Sequence, residues 1–171
     1  RFIQCTIANF YVWKQRDVAL ALHNTFDGVA APLHEAFFAN CIITGSKNDE
    51  LMGTIVTKSD TADWSQYAKY SFAHSLINSW KEALNPDTLH FSHIVWEHKD
   101  STAYASNNFR TIDHSNFVYD FHLDSLSMAR GIATNTFLHL LPNDKDGVPR
   151  TDTAIDAGCY QYVPYAEEEQ D

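Results

Sequence analysis

His90 is the residue of this chain best placed by type and surroundings to move a proton. It heads the stretch HFSHIVWEHKDSTAYASNNFRTI, residues 90–112, in which histidine and amide side chains are interleaved with aromatics. An imidazole titrates near neutrality and serves as both base and acid, as elimination of water beside a carbonyl requires. If His90, Ser92, Ile94 and Trp96 share one strand face, apolar neighbours would hold the ring neutral and basic. Asn107 and Asn135 are the candidate amides for donating to an oxyanion without a change of charge. Asp120 and His122 form a second candidate pair: two positions apart in an extended segment, they share a face, and the carboxylate would orient the imidazole. The plainer alternatives are that His90 satisfies a core hydrogen bond, and that Asp113, His114, Asp120, His122 and Asp124 belong to a solvated loop.

Other chemistries find less support. His93 and His98 would face opposite sides of a strand, whereas metal ligands must converge, so no metal site is expected. The chain has no glycine-rich phosphate loop and no GxSxG elbow, and no cofactor is expected. Cys5, Cys41 and Cys159 are widely spaced and odd in number, which suggests neither a disulfide framework nor a CxxC site; Cys41 and Cys159 read as inert buried thiols.

The bulk numbers set the frame. At 171 residues, with 44% hydrophobic and 13% aromatic residues and only 6 Gly and 5 Pro, the chain is a globular domain rather than a disordered or fibrous one. A net charge of −10 and the lack of a Lys/Arg cluster argue against nucleic acid as a partner. No run is long and apolar enough for a membrane, so the expected setting is a reducing, cytoplasmic one.

The elements that must position these residues follow from periodicity. Residues 4–31 carry apolar side chains at Ile7, Phe10 and Tyr11 and then at Val18, Leu20 and Leu22, which predicts two helices, with Asp17 capping the second and Asp27-Gly28 ending it. Residues 36–44 and 51–57 predict a hairpin across a turn at 45–49. Asp60 and Asp63 have the form of a helix start, and Ala73, Leu76, Ile77, Trp80 and Leu84 keep the spacing of one helix face up to Asn85-Pro86. Residues 90–112 then supply two long strands, 128–141 a third, and 153–165 a last one, with no internal repeat. The expected fold is α+β: a cone-shaped, curved antiparallel sheet packed on about three N-terminal helices and enclosing a pocket. It would occupy residues 1–165 as one domain, with 166–171 an acidic tail.

That order of elements, with His90, Phe91, Trp96 and Glu97, the segment from Ala103 to Arg110, the run from Gly131 to Leu140 and the Ala157-Gly158 pair, resembles the nuclear-transport-factor-two-like superfamily, and within it the SnoaL-like and scytalone-dehydratase-like branch. The resemblance implies a cofactor-independent lyase, isomerase or cyclase acting on a small hydrophobic oxygenated molecule, such as a polyketide or terpenoid intermediate, in a homo-oligomer. It places the catalytic set on His90, Asn107 or Asn108, and Asn135 with Phe137; by residue type, Tyr11, Trp13, Trp96, Phe109 and Phe137 are the candidate substrate-binding aromatics. Where the family's helix supplies a tyrosine and an aspartate this sequence has Trp13 and Lys14, so scytalone dehydration itself is not expected. The rival expectations are a non-catalytic ligand- or protein-binding domain, and an epoxide hydrolase using Arg110, Arg130, Asp113 and Asp120.

Overall fold

Short extended runs, each broken by a single left-handed residue, dominate the chain. A computed structural model describes residues 1–54 and 68–165. The first coil is β1 (Phe2–Ile3), a turn at Gln4, and β2 (Thr6–Asn9). Three further coils repeat the figure: β6 (Leu33–Ala39), Asn40 and β7 (Ile42–Gly45); β9 (Ala68–Ala73), His74 and β10 (Leu76–Asn78); β11 (Phe91–Ser92), His93 and β12 (Val95–Glu97). Gln4, Asn40, His74 and His93 all have positive φ, between 49° and 56°, and swing the chain from one wall to the next.

Stacking the coils makes two parallel walls, β1-β6-β9-β11 and β12-β10-β7-β2. The register is unbroken through the turn: Phe2 pairs with Phe38, Phe38 with Phe72 and Phe72 with Phe91, while Ile7, Ile43, Ile77 and Trp96 align on the second wall. A third, shorter wall is β3 (Leu20–His23) in parallel with β8 (Leu51–Thr54). The architecture is a parallel β-solenoid in which each coil buries its apolar residues only by stacking on its neighbours.

Between the walls lies one core cluster, Phe38, Cys41, Ile43, Phe72 and Ile77, with Leu20, Leu22 and Leu51 of the third wall packed on it. Four phenylalanines stack through it at centroid spacings of 4.9, 4.7 and 4.8 Å. The second wall is covered outside as well. Ile42 and Leu76 point away from the solenoid axis into a cluster with Phe10, Phe109, Leu123, Ala129 and Ala157. That cover consists of the antiparallel hairpin β13 (Phe109–Asp113) and β14 (Val118–Leu123) and the irregular segment that follows it. A small hairpin, β4 (Thr25–Phe26) and β5 (Val29–Ala30), projects between β3 and β6.

The cone is therefore absent. Among the described residues there is one α-helix, α1 (Trp80–Leu84), capped by Ser79, and strands replace the helices expected over residues 4–31. The hairpin expected from residues 36–44 and 51–57 is two strands in different walls, and residues 128–141 form turns rather than a strand. The helical spacing of Ala73, Leu76, Ile77 and Trp80 has another origin: β10 is buried on both faces, so apolar residues run consecutively, as in other doubly covered parallel strands. The Asp60–Asp63 helix start, residues 55–57 of the expected strand and the acidic tail lie outside the described residues. Phe38→Ala should remove the middle of the aromatic ladder and cost about 3–5 kcal/mol. The check is a lower urea midpoint, with Phe26→Ala, at an 85% exposed position, shifting stability by less than about 0.5 kcal/mol.

Candidate functional site

A cavity of about 550 Å³ opens beside the first wall, bounded by the third wall and by α1. Its apolar side is Val18, Leu22, Leu51, Phe72 and Phe91; its polar side includes Tyr70, Ser79, Glu82 and Asp87. Burial, with the charges of Asp87 and Glu82, raises the Tyr70 pKa. One Glu82 carboxylate oxygen is buried with no hydrogen-bond partner among the described residues.

His90 sits one layer behind this polar side. It lies in the turn before β11, not on a long strand, because His93 breaks the alternation that would have carried His90, Ser92, Ile94 and Trp96 along one face. Its Nδ1 is 2.6 Å from Asp87 Oδ2 and its ring stacks on Tyr70 at 3.9 Å, with 20% of the side chain exposed. Burial pushes the Asp87 carboxyl up, but hydrogen bonds from His90 and from the Leu89 amide outweigh it, and its pKa is lowered.

Asp120 and His122 meet on β14, with His122 Nδ1 at 2.5 Å from Asp120 Oδ1. Asp146, in the turn at residues 144–147, takes the other nitrogen: its Oδ2 is 2.8 Å from His122 Nε2, and Tyr160 stacks on the ring at 4.0 Å. Partial burial pulls the His122 pKa down, yet the two carboxylates more than compensate and raise it. An imidazolium held at both nitrogens ties β14 to the C-terminal segment and has no free nitrogen for substrate.

The remaining expected site residues disperse. Asn107 and Asn135 are exposed in separate 3-10 turns. Asn108, beside Asn107, is fully buried: it donates to Glu97 at 2.5 Å and accepts from Ser127 and the Met128 amide. Burial raises the Glu97 pKa to about 7, against hydrogen bonds from Thr44, Ala105 and Asn108. Phe109 is core, Trp96 packs on Phe91, and Phe137 lies edge-on to Phe37. Arg110 is 3.8 Å from Asp120, but Asp113 is occupied by the Ser115 and Asn116 amides and Arg130 lies over Tyr162, so no Asp-Arg-Asp set forms. Among the described residues no set of three or more His, Cys, Asp or Glu converges as metal ligands would.

Tyr11 and Trp13, by contrast, are brought together on the surface. Their rings are 5.5 Å apart; Phe117, from the β13–β14 turn, stacks on Trp13 at 5.0 Å, and His114 meets it edge-on at 6.0 Å. Tyr11, Trp13 and Phe117 are 42%, 47% and 70% exposed. Two anchors hold this aromatic group. Asp113 accepts from the Ser115 and Asn116 amides and from Asn116 Nδ2, bonds that fix the turn and lower its pKa. Arg16 donates to the carbonyls of Tyr11 and Asp17, closing the loop, and forks onto both oxygens of Glu50, which is fully buried. Glu50 also accepts from the Ala19 and Lys47 amides. Only glycine fits at position 45, where a methyl would collide with the Asn9 carbonyl and the Glu50 carboxylate.

Asp87, Asp146 and Phe117 escaped notice in the sequence, whereas His114 belongs to the Asp/His connection picked out there. Asp87 lies three residues before His90 and was open to detection by spacing, whereas Asp146 and Phe117 reach their partners only through the fold. No protein-family model, curated protein or solved structure matches the chain. Among the described residues no helix is long and apolar enough to cross a membrane.

The raised His122 pKa fixes a pH dependence. A folded-state pKa above the ordinary 6.5 contributes stability that is complete below that value and is lost as pH rises through the folded pKa. The His122 contribution, read as the difference in urea midpoint between the wild type and His122→Gln at each pH, should be largest below pH 6.5 and shrink as pH rises above it.

Proposed function

We propose that the protein is a glycan-binding domain that receives a neutral sugar chain on the aromatic group of Tyr11, Trp13 and Phe117. The observation that carries this reading is a contiguous, exposed aromatic surface on a rigid mount. Exposed aromatics in one patch mark a contact site. The negative face of an aromatic ring attracts the weakly positive C–H groups on the face of a pyranose, while the sugar hydroxyls remain free for polar neighbours such as His114, Asn116 and Lys14. A chain of net charge −10, with the lowered-pKa carboxylate of Asp113 beside the patch, favours neutral over polyanionic glycans.

The other polar groups support binding over chemistry at this place. His122, Glu97 and Glu50 are engaged by protein partners and serve the fold. Trp13 touches Tyr11, His114 and Phe117, and both Trp13 and Phe117 leave much of their surface to solvent. Titration with cello-, xylo- and manno-hexaose, followed by tryptophan fluorescence, should give saturable binding of at least one of them. Trp13→Ala and Phe117→Ala should each weaken it about tenfold, the loss of one stacked ring, and Leu89→Ala, at an exposed site elsewhere, should leave it unchanged. Absence of binding by all three sugars, or binding indifferent to both substitutions, sinks the proposal.

A second reading rests on the Asp87–His90 pair. His90 Nε2 takes no hydrogen bond among the described residues, and Tyr70 separates the ring from a cavity large enough for a small, half-apolar ligand. On this reading the Asp87 carboxylate, oriented by His90, takes a proton from an oxygenated molecule held in the cavity and the Tyr70 hydroxyl gives one to it, with His90 a positioning residue. Tyr70→Phe should then abolish turnover of a hydroxy-ketone substrate while the urea midpoint stays within about 1 kcal/mol of wild type. Unchanged turnover removes this reading.

A further inference from the structure

Cys5 and Cys41 occupy the same place in consecutive coils, the residue after the left-handed turn. Ile3 pairs with Ala39 on one side of them and Thr6 with Ile42 on the other, so the two cysteines lie opposite each other with no slip. The ladder is closed around them by Gln4 N to Ala39 O at 3.0 Å and Ile42 N to Cys5 O at 2.9 Å. Both thiols turn the same way. Cys5 Sγ donates to Ile3 O at 3.4 Å, and Cys41 Sγ donates to Ala39 O at 3.2 Å and reaches Phe2 O of the other coil at 3.6 Å. Both side chains belong to the core between the walls, Cys41 within the cluster and Cys5 packed against it.

Stacked strands lie about 4.8 Å apart, inside the Cα separation of roughly 4.4–6.8 Å that a disulfide spans. The neighbouring Phe2 and Phe38 rings, at 4.9 Å, show that spacing here. We propose that Cys5 and Cys41 are a modification site: a thiol pair that closes to a disulfide between the first and second coils. Cys159, the third cysteine, contacts the Thr6 hydroxyl through its amide and is not part of the pair.

Accessibility and acidity assign the roles. Cys5 is half-buried and Cys41 fully buried. Cys5 is the thiol that solvent and an oxidant can reach, and the neighbouring Cys41 thiol lowers its pKa to about 6, so the outer thiol is the thiolate that attacks. With oxidised glutathione as oxidant, Cys5 sulfur bonds to one glutathione sulfur, the glutathione S–S bond breaks and one glutathione thiolate leaves. Cys41 then gives up its proton and attacks Cys5 sulfur, expelling the second glutathione as a thiol. Two protein thiols are oxidised and one glutathione disulfide is reduced to two thiols. The neighbouring Cys5 thiol, and after it burial, raise the Cys41 pKa, and capping of Cys5 removes the first of these. The link would tether the coil whose β2 strand runs directly into Phe10, Tyr11 and Trp13.

The test uses the full chain equilibrated with oxidised glutathione, then unfolded in guanidinium and titrated with Ellman's reagent. Free thiols should fall from three to one, and tryptic peptides 2–14 and 17–47 should be recovered linked, two hydrogens lighter than their sum. The oxidised protein should melt about 5–10 °C above the reduced one. Cys5→Ser, at a half-exposed position in the end coil, should lose both the link and the shift. Persistence of three free thiols, a link through Cys159, or an oxidised protein that melts no higher than the reduced one overturns the proposal.

Discussion

The structure depends on keeping its coils in register through a left-handed corner. A side chain with positive φ costs about 1–2 kcal/mol against the right-handed alternative, and the corners of the four coils accept that without using glycine, at Gln4, Asn40, His74 and His93. The cost is offset because the corner side chains stack and find partners. Asn40 exchanges hydrogen bonds with the backbone of Thr134, 2.8 Å to its carbonyl and 2.9 Å from its amide. Gln4, its amide turned to donate to the carbonyls of Asp156 and Gly158, accepts from Asn40. His74 and His93 stack at 4.4 Å. Once the corner is fixed, the positions that flank it on both walls are aligned, from Ala36 to Ala39 on β6 and from Ile42 on β7. A shift of one residue would send Phe38 and Phe72 outward and Phe37 and Ser71 inward.

The corner ladder and the second wall are also where the C-terminal third attaches. A wall buried on both faces needs a cover, and the cover needs polar fastenings, since its own backbone is irregular and its carbonyls and amides must be satisfied. Glu97 and Asn108 provide one, binding the last coil to the 3-10 turn at Ala105–Asn108 and to Ser127 and Met128. Gly158 provides another: with φ of 92° it brings the chain against Ile42 and Thr6, where a side chain would collide, and its amide bonds to Asn40. The buried polar groups of this protein are therefore concentrated at the joint between solenoid and cover. A carboxylate or amide there fixes the register of two surfaces that apolar contact alone would let slide.

The sequence was legible where a residue's neighbours in the chain are also its neighbours in space. The alternation that puts Asp120 and His122 on one strand face did so. The fold was not legible, for three physical reasons. The corners carry Gln, Asn and two His where glycine would have announced a turn, and His93 in particular disguises two short strands as one long one. The ladder phenylalanines recur at 2, 38, 72 and 91, so insertions of unequal length hide the repeat from any fixed period. Double burial of β7 and β10 removes the alternation that marks a strand and leaves apolar runs whose spacing imitates a helix. The α+β cone followed from that imitation, and with it the inward-facing place given to His90.

The same register explains why the exposed aromatic group can be held still. Trp13 lies in a loop that has no regular hydrogen bonding of its own, and a free loop would lose the entropy of ordering its side chains on each binding event. Arg16 removes that freedom in advance by closing the loop on the Tyr11 and Asp17 carbonyls, but a guanidinium with only 8% of its side chain exposed is tolerable only against a fixed carboxylate. Glu50 is fixed because its oxygens accept from the Ala19 and Lys47 amides and because Gly45, the last residue of β7, leaves room for it. Gly45 in turn is aligned with Asn9, the residue that ends β2 and begins the loop. The mount of the surface patch is thus traced to the pairing of the first two coils, and whatever tightens that pairing stiffens the patch.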